Sequence, residues 1–244
     1  MLNAERDPKS GLLVGPRVDA TAAPFPSPVT LDGRFCRLEP LSREKHGADL
    51  WAAVDVPDAA HRFTYLFEEA FQSRAESDAW IDAATKKPDL VWSAVIDKRT
   101  GRAEGRQTLM RIDPPNRVIE IGSIYWGPAI ARSAVATEAL FLTAAHVFET
   151  LKYRRFEWKC NALNVPSRKA ALRFGFSYEG YFRKAVVIKG RARDTTWYAM
   201  TDDEWPAITR GYRAWLAPDN IGEDGQQKRP LSAFVPPGGE DVLK

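Results

Sequence analysis

Apolar positions recur with two periods along the middle of this chain, and the switches between them mark out its elements. Val118–Trp126 alternates: Val118, Glu120, Gly122, Ile124 and Trp126 fall on one side, Ile119, Ile121, Ser123 and Tyr125 on the other, as in a strand. After Pro128 the period lengthens. Val135, Phe141, Leu142, Ala145 and Phe148 form an apolar stripe over Ala134–Leu151, the longest helix the sequence predicts. Upstream, Thr30–Arg37 reads as a strand or a hairpin around Asp32-Gly33. Leu41–Val54 reads as a helix capped by Ser42 and closed by Pro57, and Ser73–Thr85 as a helix whose Ser73 and Glu76 have capping-box spacing. Leu90–Asp97 and Ala103–Arg111 are strands joined by a polar turn, and Pro114-Pro115-Asn116 turns into the third. Downstream come a strand, Arg155–Cys160, and a short helix, Ser167–Phe174, with Gly175 as a left-handed cap. Two strands follow, Tyr178–Ile188 and Arg191–Met200, around Lys189-Gly190. Asp202 or Asp203 then caps a helix through Trp205, Ile208, Tyr212 and Trp215.

This order predicts an α/β (α+β) class domain: a mixed, mostly antiparallel central sheet flanked by helices. Its strand–long helix–strand unit at Val118–Cys160 should be a right-handed parallel crossover. The remaining connections are too short for crossovers, which excludes an all-parallel sheet. Residues 30–217 form the expected domain. Residues 1–29, with prolines at 8, 16, 24, 26 and 28, read as a flexible or extended arm. Residues 218–244 read as an extension in which Asp224–Gly225 and Pro236–Gly239 are loop, with Phe234 and Val235 free to dock.

Composition narrows the functional classes. The formal charge of +3, from 35 basic and 32 acidic side chains, is too mild to require nucleic acid. No apolar run reaches the eighteen residues of a membrane span, and no membrane partner is expected. Cys36 and Cys160 fall in separate strands and read as buried free thiols, which favours a reducing, cytoplasmic location. His46, His61 and His146 lack metal-ligand spacing, so no metal is expected.

Three segments could carry chemistry. Trp126-Gly127-Pro128 ends a strand, and small residues (Ala129, Ala131, Ser133, Ala134 and Ala136) lead into the long helix. Such a turn lets a ligand approach backbone N–H groups at a helix N-terminus, where Arg132 could add a cation; it could equally be a tight turn with no ligand. Asn164 and Ser167 could cap and turn the next helix, or converge on a pocket beyond the strand ends. Glu120 is either a routine charge or, in a cleft, a carboxylate whose pKa burial raises toward proton abstraction. The stretch His61–Tyr65 could form a substrate lid.

Together, Ile124 through Leu140, with its helix-entry turn and Glu138, resembles the acyl-CoA pyrophosphate loop and helix of the GNAT superfamily of acetyltransferases. Asn164-Val165-Pro166-Ser167, followed by Leu172–Phe176 and Glu179-Gly180, is similar to their second cofactor motif, most closely in the ribosomal-protein N-terminal acetyltransferase branch. The resemblance covers about Leu31–Trp205. The usual loop pattern places Gln or Arg, Gly, then Gly or Ala where this chain has Ala131, Ala134 and Ala136, and Arg132 is displaced by one position; only Ala136 matches. The resemblance implies a GNAT-like fold and acetyl-CoA as co-substrate, held by Trp126, Arg132, Ser133, Ala134, Val135, Ala136, Thr137, Asn164, Ser167 and Arg168. It implies direct attack by an amine, of a peptide N-terminus or a small molecule, in a ternary complex. Ser167 would protonate the departing thiolate and Glu120 would take the amine proton, with Tyr178 and Tyr181 as spare hydroxyls. The chain would be a monomer or homodimer.

Three other readings stay open at this stage. One is an enzyme for small amines, decided by Leu50–Ala70 and Tyr181–Arg193. Another is a non-catalytic acyl-CoA-binding protein. The last is a nucleic-acid module built on Arg183-Lys184 and Lys189–Arg193.

Overall fold

The computed structural model describes residues 4–222, 225–236 and 238–239; Asp224 and Pro237, both read as loop, lie outside them. The arm carries a small antiparallel ribbon, β1 (Glu5–Arg6) with β2 (Leu13–Val14), where the prolines had suggested no pairing. Pro8 falls in the connection between the two strands and Pro16 after the second, so neither interrupts the pairing. A hairpin, β3 (Leu31–Asp32) and β4 (Cys36–Pro40), opens the domain. Helices α1 (Arg43–Val54), α2 (Ala59–Phe63) and α3 (Arg74–Ala84) follow, then strands β5 (Val91–Asp97), β6 (Arg102–Asp113) and β7 (Val118–Trp126). Helix α4 (Ala134–Ala145) leads to β8 (Arg155–Asn161), α5 (Val165–Arg173), β9 (Ser177–Ile188), β10 (Arg191–Thr201) and α6 (Trp205–Leu216).

Eight strands form one sheet in the order β3-β4-β5-β6-β7-β8-β10-β9. Every neighbouring pair is antiparallel except β7 with β8, the expected parallel unit. Helices α4 and α6 cover one face, where Ile119, Ile121, Phe141, Phe156, Tyr198 and Tyr212 pack in the main core. Cys36 and Cys160 are buried free thiols, as the strand pattern indicated. No helix of the described residues is long and apolar enough to cross a membrane.

Local sequence accounts for most boundaries. The Ser42 and Ser73 hydroxyls accept from the third amide of their helices. The Glu76 carboxylate reaches back to the Gln72 amide (2.7 Å), one residue before the position a capping box uses. Helix α5 starts at Val165, two residues earlier than expected, because Asn164 caps it by accepting the Ser167 amide at 3.2 Å. It ends as foreseen: Gly175, at φ +92°, donates to Leu172 and Phe176 donates to Ala171, closing a Schellman turn. The long helix leaves α geometry at Ala145 and continues as a π turn over His146–Thr150. Neither Asp202 nor Asp203 caps α6. Glu204 occupies the cap position without a side-chain cap bond, because its carboxylate turns back to the Thr201 amide (2.8 Å).

The buried carboxylate of Glu138 joins α4 to the hairpin. It accepts the amides of Arg34 (2.8 Å), Phe35 (2.6 Å) and Cys36 (2.8 Å). A Cβ on Gly33 would fall 2.5 Å from that carboxylate, so glycine is required there.

The two flanks differ from each other in how they meet the domain. Residues before Asp19 lie almost wholly exposed. The extension after Ala217 belongs to the core: Ile221, Leu231 and Val235 are buried in it, and the Phe234 carbonyl lies 2.4 Å from where a Gly211 Cβ would be. Burying side chains of this size contributes roughly 1.5–3 kcal/mol each. Deleting residues after Ala217 should therefore remove most of the stability in a urea titration, whereas deleting residues 1–18 should leave the midpoint unchanged; an intact midpoint after the first deletion would return the extension to an appendage.

Candidate functional site

Strands β7 and β8 pair only from Val118 and Arg155 to Ile121 and Trp158. Beyond that register they part, β7 running on to Trp126 and β8 to Asn161. A bulge drives β7 aside: Thr108 faces Gly122 and Arg106 faces Tyr125, so β7 carries one extra residue, with Ser123 at φ +46°. The buried Arg106 fixes this kink. Its guanidinium donates to the Ser123 carbonyl (3.0 Å) and to Glu68, and lies 3.9 Å over the Trp80 ring. A cavity of about 830 Å³ opens between the parted strands.

One side of the cavity is the N-terminal end of α4, with α5. Gly127 bonds to the Glu104 carbonyl (2.8 Å), too close for a Cβ. Ser133 caps α4, accepting from Ala136 and donating to Ile130 at 2.6 Å. The N–H groups of Arg132, Ala134 and Val135 meet no acceptor among the described residues, and the left-handed turn at Arg132 (φ +63°) leads into them. Free amides at a helix N-terminus form an anion site. Thr137, on the first turn, accepts from Arg173 (3.1 Å), a half-buried arginine with no carboxylate partner among the described residues. Burial pulls the Arg173 pKa down.

Trp126, Arg132, Ala136, Thr137, Asn164 and Ser167 all line the cavity. The side chains of Ser133, Ala134 and Val135 do not: Ser133 is occupied as a cap, and Ala134 and Val135 are buried in the core. The Arg168 side chain also lies off the wall, donating to the Ala162 carbonyl (3.2 Å). Ser167 Oγ accepts from Trp158 Nε1 at 3.0 Å. An indole N–H only donates, so the serine keeps its own proton to give.

Across the gap, on the opposite sheet face, lies Glu120, which is 5% exposed. Lys159 Nζ stands 2.9 Å and Arg111 Nε 3.2 Å from its carboxylate. Burial raises its pKa, opposed by Lys159 and then Arg111. The segment after α2 roofs this side. Tyr65 and Phe67 line it, Tyr65 donates to the Leu163 carbonyl (3.2 Å), and Lys189 of the β9–β10 turn donates to the Phe63 carbonyl (2.9 Å) and pairs with Glu69 (3.1 Å). In the expected lid, Arg62 and Tyr65 reach the wall and the exposed His61 does not. Tyr178 and Tyr181 also stay off it. Of the basic run Lys189–Arg193, Lys189 is tied to the roof and Arg193 is buried in the cavity wall.

Sequence reasoning does not single out Arg106 or Arg173, and it reaches Arg193 only as one member of a basic run. Arg173 lies inside the motif Leu172–Phe176, and Arg193 inside a run that reads as a nucleic-acid module; only their burial distinguishes them.

Residues 36–177 match the family described as acetyltransferase (GNAT) domain. A GCN5-related N-acetyltransferase from Brucella melitensis is 54% identical, with a TM-score of 0.86 over 88% of this chain and 97% of that one. A probable GNAT-family acetyltransferase from Chromobacterium violaceum is 33% identical, with a TM-score of 0.72 over 82% and 98% of the two chains. The ribosomal-protein-serine acetyltransferase of Escherichia coli is 33% identical over 94 residues, 38% of this chain. The chain spans about half the length of the curated relatives it matches. The family match and the near-complete overlap with these solved folds show that this chain belongs to the GNAT acetyltransferases.

Proposed function

We propose that this protein transfers the acetyl group of acetyl-CoA to a primary amine by direct attack within a ternary complex. The observation that carries the reading is the placement of Ser167 and Glu120 on opposite sides of the gap between β7 and β8, on the wall of one cavity. The free amides of Arg132, Ala134 and Val135 receive the pyrophosphate, and Arg132 and Arg173 add positive charge beside them. Acetyl-CoA supplies the activated carbonyl. Glu120 takes the proton lost by the attacking amine; burial raises its pKa above the ordinary carboxylate value, against the opposing charge of Lys159, which strengthens it as a base. Ser167 gives its proton to the thiolate as the C–S bond breaks, while Trp158 holds the hydroxyl oxygen in place. The similarity to the ribosomal-protein-serine acetyltransferase of E. coli supports a protein amine, such as a peptide N-terminus, as acceptor.

Two measurements test this. Calorimetric titration with acetyl-CoA should show one site. Arg132→Ala should weaken it more at low salt than at high, because Arg132 is exposed and its field is screened; Arg173→Gln should weaken it with less salt dependence, because Arg173 is half-buried. Absence of binding at about millimolar acetyl-CoA would remove the co-substrate assignment.

With an acceptor in hand, Ser167→Ala should keep acetyl-CoA affinity and lose roughly 10- to 1000-fold in turnover. The parent kcat/KM, corrected for ionisation of the acceptor amine, should fall on the acid side of a pKa above the ordinary carboxylate value of 4.5, since only ionised Glu120 accepts a proton. Glu120→Gln should abolish that limb. A limb that survives in the glutamine variant places the base elsewhere.

A further inference from the structure

The roofed side of the cavity holds one charge that the protein does not answer. On this face of the sheet Glu120, which lines the cavity, and its neighbours Glu157 and Glu179 are matched by three cations. Arg111 pairs with Glu120, Lys159 with Glu120 and Glu157, and Arg155 with Glu157 and Glu179. Arg193 is left over. It is 8% exposed, lines the cavity, and has no carboxylate partner among the described residues; its Nε is buried without any acceptor. Its neighbour along the strand, Thr195, also lines the cavity with a buried hydroxyl that has no hydrogen-bond partner. Near the guanidinium are the Phe67 ring of the roof, 5.6 Å away, and the field of Glu120, whose carboxylate is already engaged by Lys159 and Arg111.

Arg106 shows what a satisfied buried arginine looks like in this fold, with a carboxylate, a carbonyl and an indole face all in contact. An arginine cannot lose its proton in a protein, and an unpaired buried charge is costly, so the arrangement at Arg193 is stable only beside an anion. That anion is not a CoA phosphate in the proposed reaction, because the free amides at the start of α4 lie on the other sheet face. Arg193, Thr195 and Trp197 alternate along β10 on the face of Lys159 and Glu120, since Trp197 packs under Lys159 Nζ at 3.8 Å.

We propose that the acceptor is an aminocarboxylate: a primary amine bearing a carboxylate that Arg193 and Thr195 bind while Glu120 faces the amine. This rests on the acetyltransfer reading and adds the substrate class to it. A planar carboxylate fits the guanidinium fork, and the Thr195 hydroxyl supplies one further donor. The carboxylate belongs either to a free amino acid or to an acidic side chain near a peptide N-terminus.

The test pairs each acceptor with its neutral twin. The α-amino acids are compared with their α-amides, and seryl-aspartate and seryl-glutamate peptides with the asparagine and glutamine peptides, by thiol release from acetyl-CoA and by calorimetry on the CoA-loaded protein. Carboxylates should be preferred by at least about 30-fold, through KM rather than kcat. A preference confined to the first set identifies free amino acids, and one confined to the second identifies acidic peptides. Arg193→Gln should reduce the preference to under about threefold and leave acetyl-CoA affinity unchanged; Arg193→Lys should restore part of it. Equal use or equal binding of carboxylate and amide by the parent protein overturns the proposal without any variant, as does binding of neither. Arg193-dependent carboxylate binding with no thiol release would sustain the anion site and count against acetyltransfer.

Discussion

The candidate site depends on two parallel strands that stop pairing. After Ile121 and Trp158 the bulge at Ser123 turns β7 away from β8, and the backbone between them faces a cavity. The kink is held from outside the gap, by Arg106 reaching from β6 to the Ser123 carbonyl and the roof segment. The opening is thus fixed by the fold and does not wait for a ligand to force it.

The gap also separates two electrostatic environments. On the α4 side the attraction for anions comes from backbone dipoles, with Arg132 and Arg173 near the helix N-terminus. On the roofed side it comes from side chains, arranged so that carboxylates and cations pair and one arginine remains. A thioester lying in the gap would have its sulfur and its incoming amine in different surroundings, which lets one cavity hold a proton donor and a proton acceptor that do not neutralise each other.

Much of this was legible from the chain. The change of period at Pro128 announced the parallel unit. Serines ahead of apolar periods announced helix starts, and Gly175 announced a helix end through its positive φ. Strand alternation placed Glu120 opposite Ile119 and Ile121, the core face. What stayed hidden depends on distant partners. The short α2 has too few turns to show a period. The extension looked like loop because Ile221, Leu231 and Val235 are spaced irregularly and dock one by one on α6 and the Schellman turn. Ser167 looked like a cap until Asn164 was seen holding its amide. An arginine in a basic run looks the same whether it faces water or, like Arg193, a cavity wall; tertiary burial alone separates the two.

Glu138 sets a phase. It sits four residues into α4, one turn below the amides that face the cavity, and its three bonds to the β3–β4 hairpin fix which way the helix is rotated about its axis. One residue added or removed between Ala134 and Glu138 would turn the entry to the helix by about 100° relative to the sheet. The loop from Gly127 to Arg132 lies outside that lock. The short run from the helix start to Glu138 must therefore keep its length for the helix entry to keep its direction, whatever side chains the residues between Pro128 and Arg132 carry.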